Sequence, residues 1–205
     1  MPDISFTITA FVTLFVIMDP IGLMPVFVAL TAGMDRAHRR AVAIRAAIVG
    51  AVILTVFGLF GDRVLGFIGI SLPAFRIAGG ILLFLTALDM LFERRAARRQ
   101  DQSAHPSDDP SVFPIAMPLI AGPGAIASMI LLTGQTGPSW EGILVVHAVM
   151  FAVVLITLAL FLAAPLIERM LGETGVNVVS RLLGMLLAAL SVQFVIDGVL
   201  ASIGG

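Results

Sequence analysis

Asp19 places a carboxylate inside a long apolar run and opens the tetrad Asp19-Pro20-Ile21-Gly22; a second apolar run carries Ala121-Gly122-Pro123-Gly124. Both tetrads consist largely of residues that stop helices. Proline lacks an amide hydrogen and clashes with the preceding turn. Glycine reaches backbone conformations closed to other residues. Pro25 strengthens the first interruption and Pro118 the second. Unwinding frees carbonyl oxygens where one half-helix ends and amides where the next begins. Half-helices starting near Gly22 or Leu23, and near Gly124, would each offer a positive dipole end to a carboxylate or other small anion. Asp19 and the freed carbonyls would face a substrate ammonium group, a proton or a coupling cation such as sodium. Asp19 is also placed to cap the half-helix that begins at Pro20. The expected substrate-binding residues are Asp19, Pro20, Gly22, Leu23, Gly122, Pro123, Gly124, Ala125 and Ser128.

The elements that must position these groups are membrane spans. Of 205 residues, 59 % are apolar and only 12 % charged, against about a quarter charged in soluble domains. Mean hydropathy is +1.09. A span needs roughly 20 apolar residues, and six stretches qualify, at about 6–30, 41–60, 70–92, 112–133, 142–164 and 180–200. Met1-Pro2-Asp3 has no basic region before the first apolar run, so no cleaved signal is expected. The tetrads fall in spans one and four.

Arginine placement sets an orientation. Arg36, Arg39, Arg40 and Arg45 follow span one, Arg94, Arg95, Arg98 and Arg99 follow span three, and Arg169 follows span five, while the opposite side carries little beyond Arg63. The arginine-bearing loops, including the polar linker 100–111, are expected in the cytoplasm. Both termini are then periplasmic in a bacterial inner membrane. The arginines themselves read as topology signals and headgroup contacts.

The chain also repeats itself. Gly22 and Leu30-Thr31 match Gly124 and Leu132-Thr133 at an offset of 102 residues, and Arg76-Ile77-Ala78-Gly79 matches Arg181-Leu182-Leu183-Gly184 at 105. Thr86 then falls opposite Ser191. Repeats of 1–99 and 112–205, with three spans each, must insert with opposite orientations. The expected fold is an all-α integral membrane protein with six transmembrane helices in a 3+3 inverted repeat, helices one and four broken. Arg76, Thr86, Arg181, Ser191 and Gln193 are expected to gate or line a pathway, and Thr13 is a weaker candidate.

Several functions are disfavoured. Cysteine is absent, so there is no thiolate chemistry. His147 stands apart from any second ligand at useful spacing, and no metal or other cofactor is expected. No GKS or GKT phosphate loop occurs. A net charge of −1 gives no attraction to nucleic acid. The expected partners are the lipid bilayer and a small neutral solute, with a homo-oligomer left open. A transporter, a broad small-molecule or drug exporter or channel, and a structural or regulatory membrane protein all remain compatible with the residues, whereas an enzyme is not expected.

Three segments resemble the MarC family of six-span inner-membrane proteins, also described as neutral amino acid transporters: DPIGLMPVFVALT at 19–31, FRIAGGILLFLTALDML at 75–91 and MPLIAGPGAIASMI at 117–130. The resemblance covers essentially the whole chain. It implies a carrier of small neutral amino acids in which Asp19, Gly22, Gly122 and Gly124 line the substrate region.

Overall fold

The computed structural model describes residues 3–31, 33–92, 109–137 and 139–203, with the side chains of 165, 167–173, 176 and 180 outside that set. Arg94, Arg95, Arg98 and Arg99, most of the 100–111 linker and the side chain of Arg169 therefore lie outside the described residues.

Helices α1 (Ile4–Met18) and α2 (Pro20–Leu30) share one stretch broken at Asp19. Asp35 caps α3 (Arg36–Ile68) by accepting from the His38 amide. This helix is longer than the apolar segment within it, because its first turns carry the arginines. Gly69, at φ 82°, closes α3 in the left-handed region and lets the chain turn back. Ser71 then caps α4 (Leu72–Leu91).

The segment α5 (Ser111–Ile120) is irregular, because Phe113 and Met117 leave helical geometry before Pro114 and Pro118. Its wide turns are marked by Ile115 N–H donating to Pro110 and Ala121 N–H to Ala116. Helix α6 (Pro123–Gln135) follows at a bend of 54°. The final helical stretch, α7, runs from Trp140 to Ile203.

Direction follows from which residues touch. A Cβ on Gly124 would meet Leu83, and one on Gly134 would meet Leu72, so α6 runs antiparallel to α4. Gly142, at the start of α7, abuts Thr136 just past the end of α6. Gly198, near the end of α7, abuts Pro73 and Ile77 at the start of α4. Both ends of α7 therefore lie at one end of the bundle. A straight helix of 64 residues would be roughly 96 Å long and could not do this. The chain reverses between Ala164 and Asn177, dividing α7 into α7a (Trp140–Ala164) and α7b (Asn177–Ile203), each long and apolar enough to span.

The result is an all-α multi-pass membrane protein. Among the described residues, five helical stretches are long and apolar enough to cross a bilayer, or six if α5 and α6 form one bent span. Leu14, Leu23, Phe27, Leu54, Leu83 and Phe161 belong to the fully buried core. Phe27 and Phe161 stack with ring centroids 4.4 Å apart, tying α2 to α7a. Around this core, Leu82, Leu182, Leu186 and Leu200 are exposed. Such an apolar exterior needs lipid as solvent.

Candidate functional site

Asp19 is 1 % exposed. Its backbone, at φ 49° and ψ 60°, is left-handed, a conformation Asp tolerates better than most residues. Its amide closes α1 on the Phe15 carbonyl, while its carbonyl accepts from Leu23 N–H at 3.0 Å. Its Oδ1 accepts from Gly22 N–H at 3.0 Å. The carboxylate thus caps α2, which begins at Pro20.

This arrangement bears on the expected first anion site. Gly22 and Leu23 amides were expected to face a ligand, yet Asp19 itself engages both. The reason is the Asp-Pro pair: proline starts the helix at its first turn, and the preceding carboxylate reaches the nearest orphan amide. Gly22 is required because a Cβ there would sit 2.1 Å from Asp19 Oδ2.

The end of α1 has the opposite problem. The Val16 carbonyl faces Pro20, which has no amide to give. Among the described residues, the carbonyls of Val16 and Ile17 receive no backbone amide across the break. Carbonyl oxygens at the end of α1 and a buried carboxylate therefore meet at this point.

The second break supplies the other sign. Gly122 caps α6 without any side-chain hydrogen bond. The Ile126 amide donates to the Gly122 carbonyl at 2.9 Å. The Gly124 and Ala125 amides precede it on the buried start of α6, with no backbone acceptor across the break among the described residues.

The two breaks are neighbours: a Cβ on Gly124 would lie 3.4 Å from Ile17 Cγ2 and 2.8 Å from Leu83 Cδ2. Helices α1 and α6 run in opposite directions through this contact. Thr13, one turn before Ile17, and Ser128, one turn after Gly124, therefore lie at one level. Both residues are buried, and both hydroxyl oxygens are without a hydrogen-bond partner. Buried hydroxyls are ordinarily satisfied, so this pair marks a polar spot beside the breaks.

Of the remaining expected residues, Pro20 and Pro123 belong to the breaks themselves, while Arg76 and Thr86 lie on α4 and Arg181, Ser191 and Gln193 on α7b. Pro20 is buried at the start of α2, while Pro123 is exposed at the start of α6. Thr86 donates to the Leu82 carbonyl at 2.9 Å and Ser191 to Ala188 at 2.6 Å, both within their own helices. Gln193 is exposed and donates to Asp197 at 2.7 Å. Arg76 is partly buried on α4 and Arg181 exposed on α7b. His147 donates from Nδ1 to the Ile143 carbonyl at 2.7 Å, and its buried Nε2 faces α3 at Gly58. No group of three or more potential metal-ligating side chains occurs among the described residues.

Sequence reasoning expected freed carbonyls at this break without assigning them to particular residues, and it ranked Thr13 as a weaker candidate. The carbonyls had a signal, since a proline four residues after Val16 deprives it of its donor. Thr13 had none, because its significance depends on which helix faces α1.

Paired half-helices meeting inside an apolar bundle define the chain as a multi-pass membrane protein with an internal polar break. Residues 4–203 match the family described as MarC family integral membrane protein. The chain is 38 % identical over 198 residues to a UPF0056 membrane protein of Archaeoglobus fulgidus, covering 95 % of this chain and 92 % of that one. It is 34 % identical over 197 residues to the UPF0056 inner membrane protein YhgN of Escherichia coli K12, with 94 % and 95 % covered. The chain belongs to the MarC/UPF0056 family. No solved structure matches it.

Proposed function

We propose that this protein is a secondary transporter that moves small neutral amino acids, or similar small zwitterions, across the inner membrane by alternating access. The observation that carries this reading is the meeting of two broken spans with opposite polarity. Asp19 and the Val16 and Ile17 carbonyls suit an ammonium group or a coupling proton or sodium ion. The Gly124 and Ala125 amides at the start of α6 suit a carboxylate. A zwitterion satisfies both, and the Thr13 and Ser128 hydroxyls stand within a turn to complete its polar contacts.

An inverted repeat of 1–99 and 112–205 underlies the mechanism. It is supported by a reciprocal contact. A Cβ on Gly80 would meet the Ser191 carbonyl and Val195, while one on Gly184 would meet the Ala87 carbonyl and Leu91. An offset of 104 residues carries Gly80 to Gly184, Ala87 to Ser191 and Leu91 to Val195, one residue from the sequence register. In this scheme α4 and α7b pack reciprocally, and Arg76, Thr86, Arg181, Ser191 and Gln193 act in gating rather than in the binding contact. The linker 100–111 lies in the cytoplasm and both ends in the periplasm.

The test is counterflow in proteoliposomes with radiolabelled glycine, alanine and serine under imposed proton or sodium gradients. Saturable counterflow is expected in wild type. In Asp19→Asn, affinity and its pH or cation dependence should change together. Asp19→Asn protein with wild-type binding and unchanged pH and cation dependence would refute the role of Asp19. Folded protein that moves none of the panel would refute the amino-acid assignment.

A further inference from the structure

The arginine-rich end of the bundle holds a second, unrelated feature. Between the start of α3 and the end of α7a lies a cleft of about 640 Å³, within the roughly 300–1,000 Å³ typical of small-ligand sites. One wall presents Arg36, Arg39 and Arg40; the other presents Phe161, Leu162 and Leu166. Asp109 pairs with Arg45, and no described carboxylate lines the cleft beside Arg36, Arg39 and Arg40. Arg39 donates from Nη2 to the Thr31 carbonyl at 3.4 Å, and its Nε is buried without a partner. The α3 N-terminus is not the attracting element, because Asp35 already caps it.

We infer that this cleft seats one anionic phospholipid. Its phosphate would lie among Arg36, Arg39 and Arg40, and an acyl chain would lie along Leu162 and Leu166, which are 47 % and 63 % exposed. Charge complementarity and the mixed lining select the occupant. Arginine forks match phosphate oxygens geometrically, and a buried Nε without a partner is costly until an acceptor arrives. A free anion would leave the apolar wall uncovered, and a neutral lipid would leave three cations uncompensated.

The experiment uses the full chain purified in a neutral detergent. Retained lipid is counted by native mass spectrometry, and the apparent unfolding midpoint is followed while phosphatidylglycerol, phosphatidylcholine or sodium phosphate is added at constant ionic strength. Phosphatidylglycerol should bind saturably at one per chain and raise the midpoint, while phosphatidylcholine and phosphate should not. Arg40→Gln, an exposed change that leaves the core intact, should weaken phosphatidylglycerol binding roughly fivefold, the value of one arginine near an anionic headgroup. Arg36→Gln should act similarly, and Arg63→Gln at the other end of α3 should have no effect. Equal binding of the two lipids would overturn the inference. So would equal weakening by Arg63→Gln, or saturation by phosphate alone that is lost in Arg40→Gln.

Discussion

Replacing Gly22 by alanine tests the break directly. In most helices this change stabilises by up to about 1 kcal/mol, because alanine is the better helix former. Here the new Cβ would lie 2.1, 2.7 and 2.9 Å from Oδ2, Cγ and Oδ1 of Asp19, so the carboxylate must leave the Gly22 amide. Losing an N-cap costs about 0.5–2 kcal/mol, and stranding a buried donor costs about 1–3 kcal/mol. After the helix gain is subtracted, a net loss of roughly 1–2 kcal/mol is expected. The sign should reverse in an Asp19→Gly background. Glycine accepts the left-handed conformation at position 19 and removes every atom in the clash, so Gly22→Ala should then stabilise by up to about 1 kcal/mol. The double-mutant cycle should show a coupling of about 2–3 kcal/mol, read from unfolding midpoints in detergent micelles. A Gly22→Ala effect of the same sign and size in both backgrounds would refute the assigned cap.

Other outcomes follow from contacts already described. Gly80→Ala, with its Cβ 2.8 Å from the Ser191 carbonyl oxygen, and Gly184→Ala, with its Cβ 3.0 Å from Met90 Cβ, should each destabilise by about 1–3 kcal/mol. Gly66→Ala, with nothing within 4 Å, should be neutral or slightly stabilising in the same melting assay. The Ser111 hydroxyl beside Asp109, the Ser111 amide that donates to it and Arg45 hold the Asp109 carboxyl below the usual range; the hydroxyl lies outside regular hydrogen-bond geometry. A depressed carboxylate stabilises above its unfolded value near 3.9 and loses that contribution as pH falls through its folded value. The stability difference between Asp109→Asn and wild type should therefore be present at pH 7, at no more than about 1 kcal/mol for so exposed a pair, and shrink toward zero in strong acid. Thr7 lies beside Val145 and Ala148 near the start of α7a, and Gly198 lies at that same end of the bundle. Reporters fused at the two chain ends should consequently report one compartment; opposite compartments would refute the reversal within α7.

The spans and both interruptions were legible because they rest on local chemistry. Proline and glycine break helices wherever they stand, and long apolar runs require lipid. The cap at Asp19 was legible too, as an Asp-Pro pair. What the cap does to the neighbouring site was not, because reading it requires knowing that Oδ1 turns back onto the Gly22 amide instead of outward. The partnership of Ile17 with Gly124 and Leu83 depends on tertiary packing, and so does the shared level of Thr13 and Ser128. Gln193 shows the converse limit. It is exposed and donates to Asp197 one turn away, a pairing that hydropathy alone does not distinguish from a cavity lining.

The unequal capping of α2 and α6 bears on valence. One half-helix is closed by a carboxylate tethered to its own chain, and its counterpart has no such plug. A solute carrying one carboxylate and one ammonium group would leave the proposed site in charge balance. A dicarboxylate would bring its second negative group toward Asp19 and find no second amide cradle, so glutamate or aspartate should compete poorly with alanine for the same protein. In the proposed inverted repeat, two similar breaks would together accept a single anionic group.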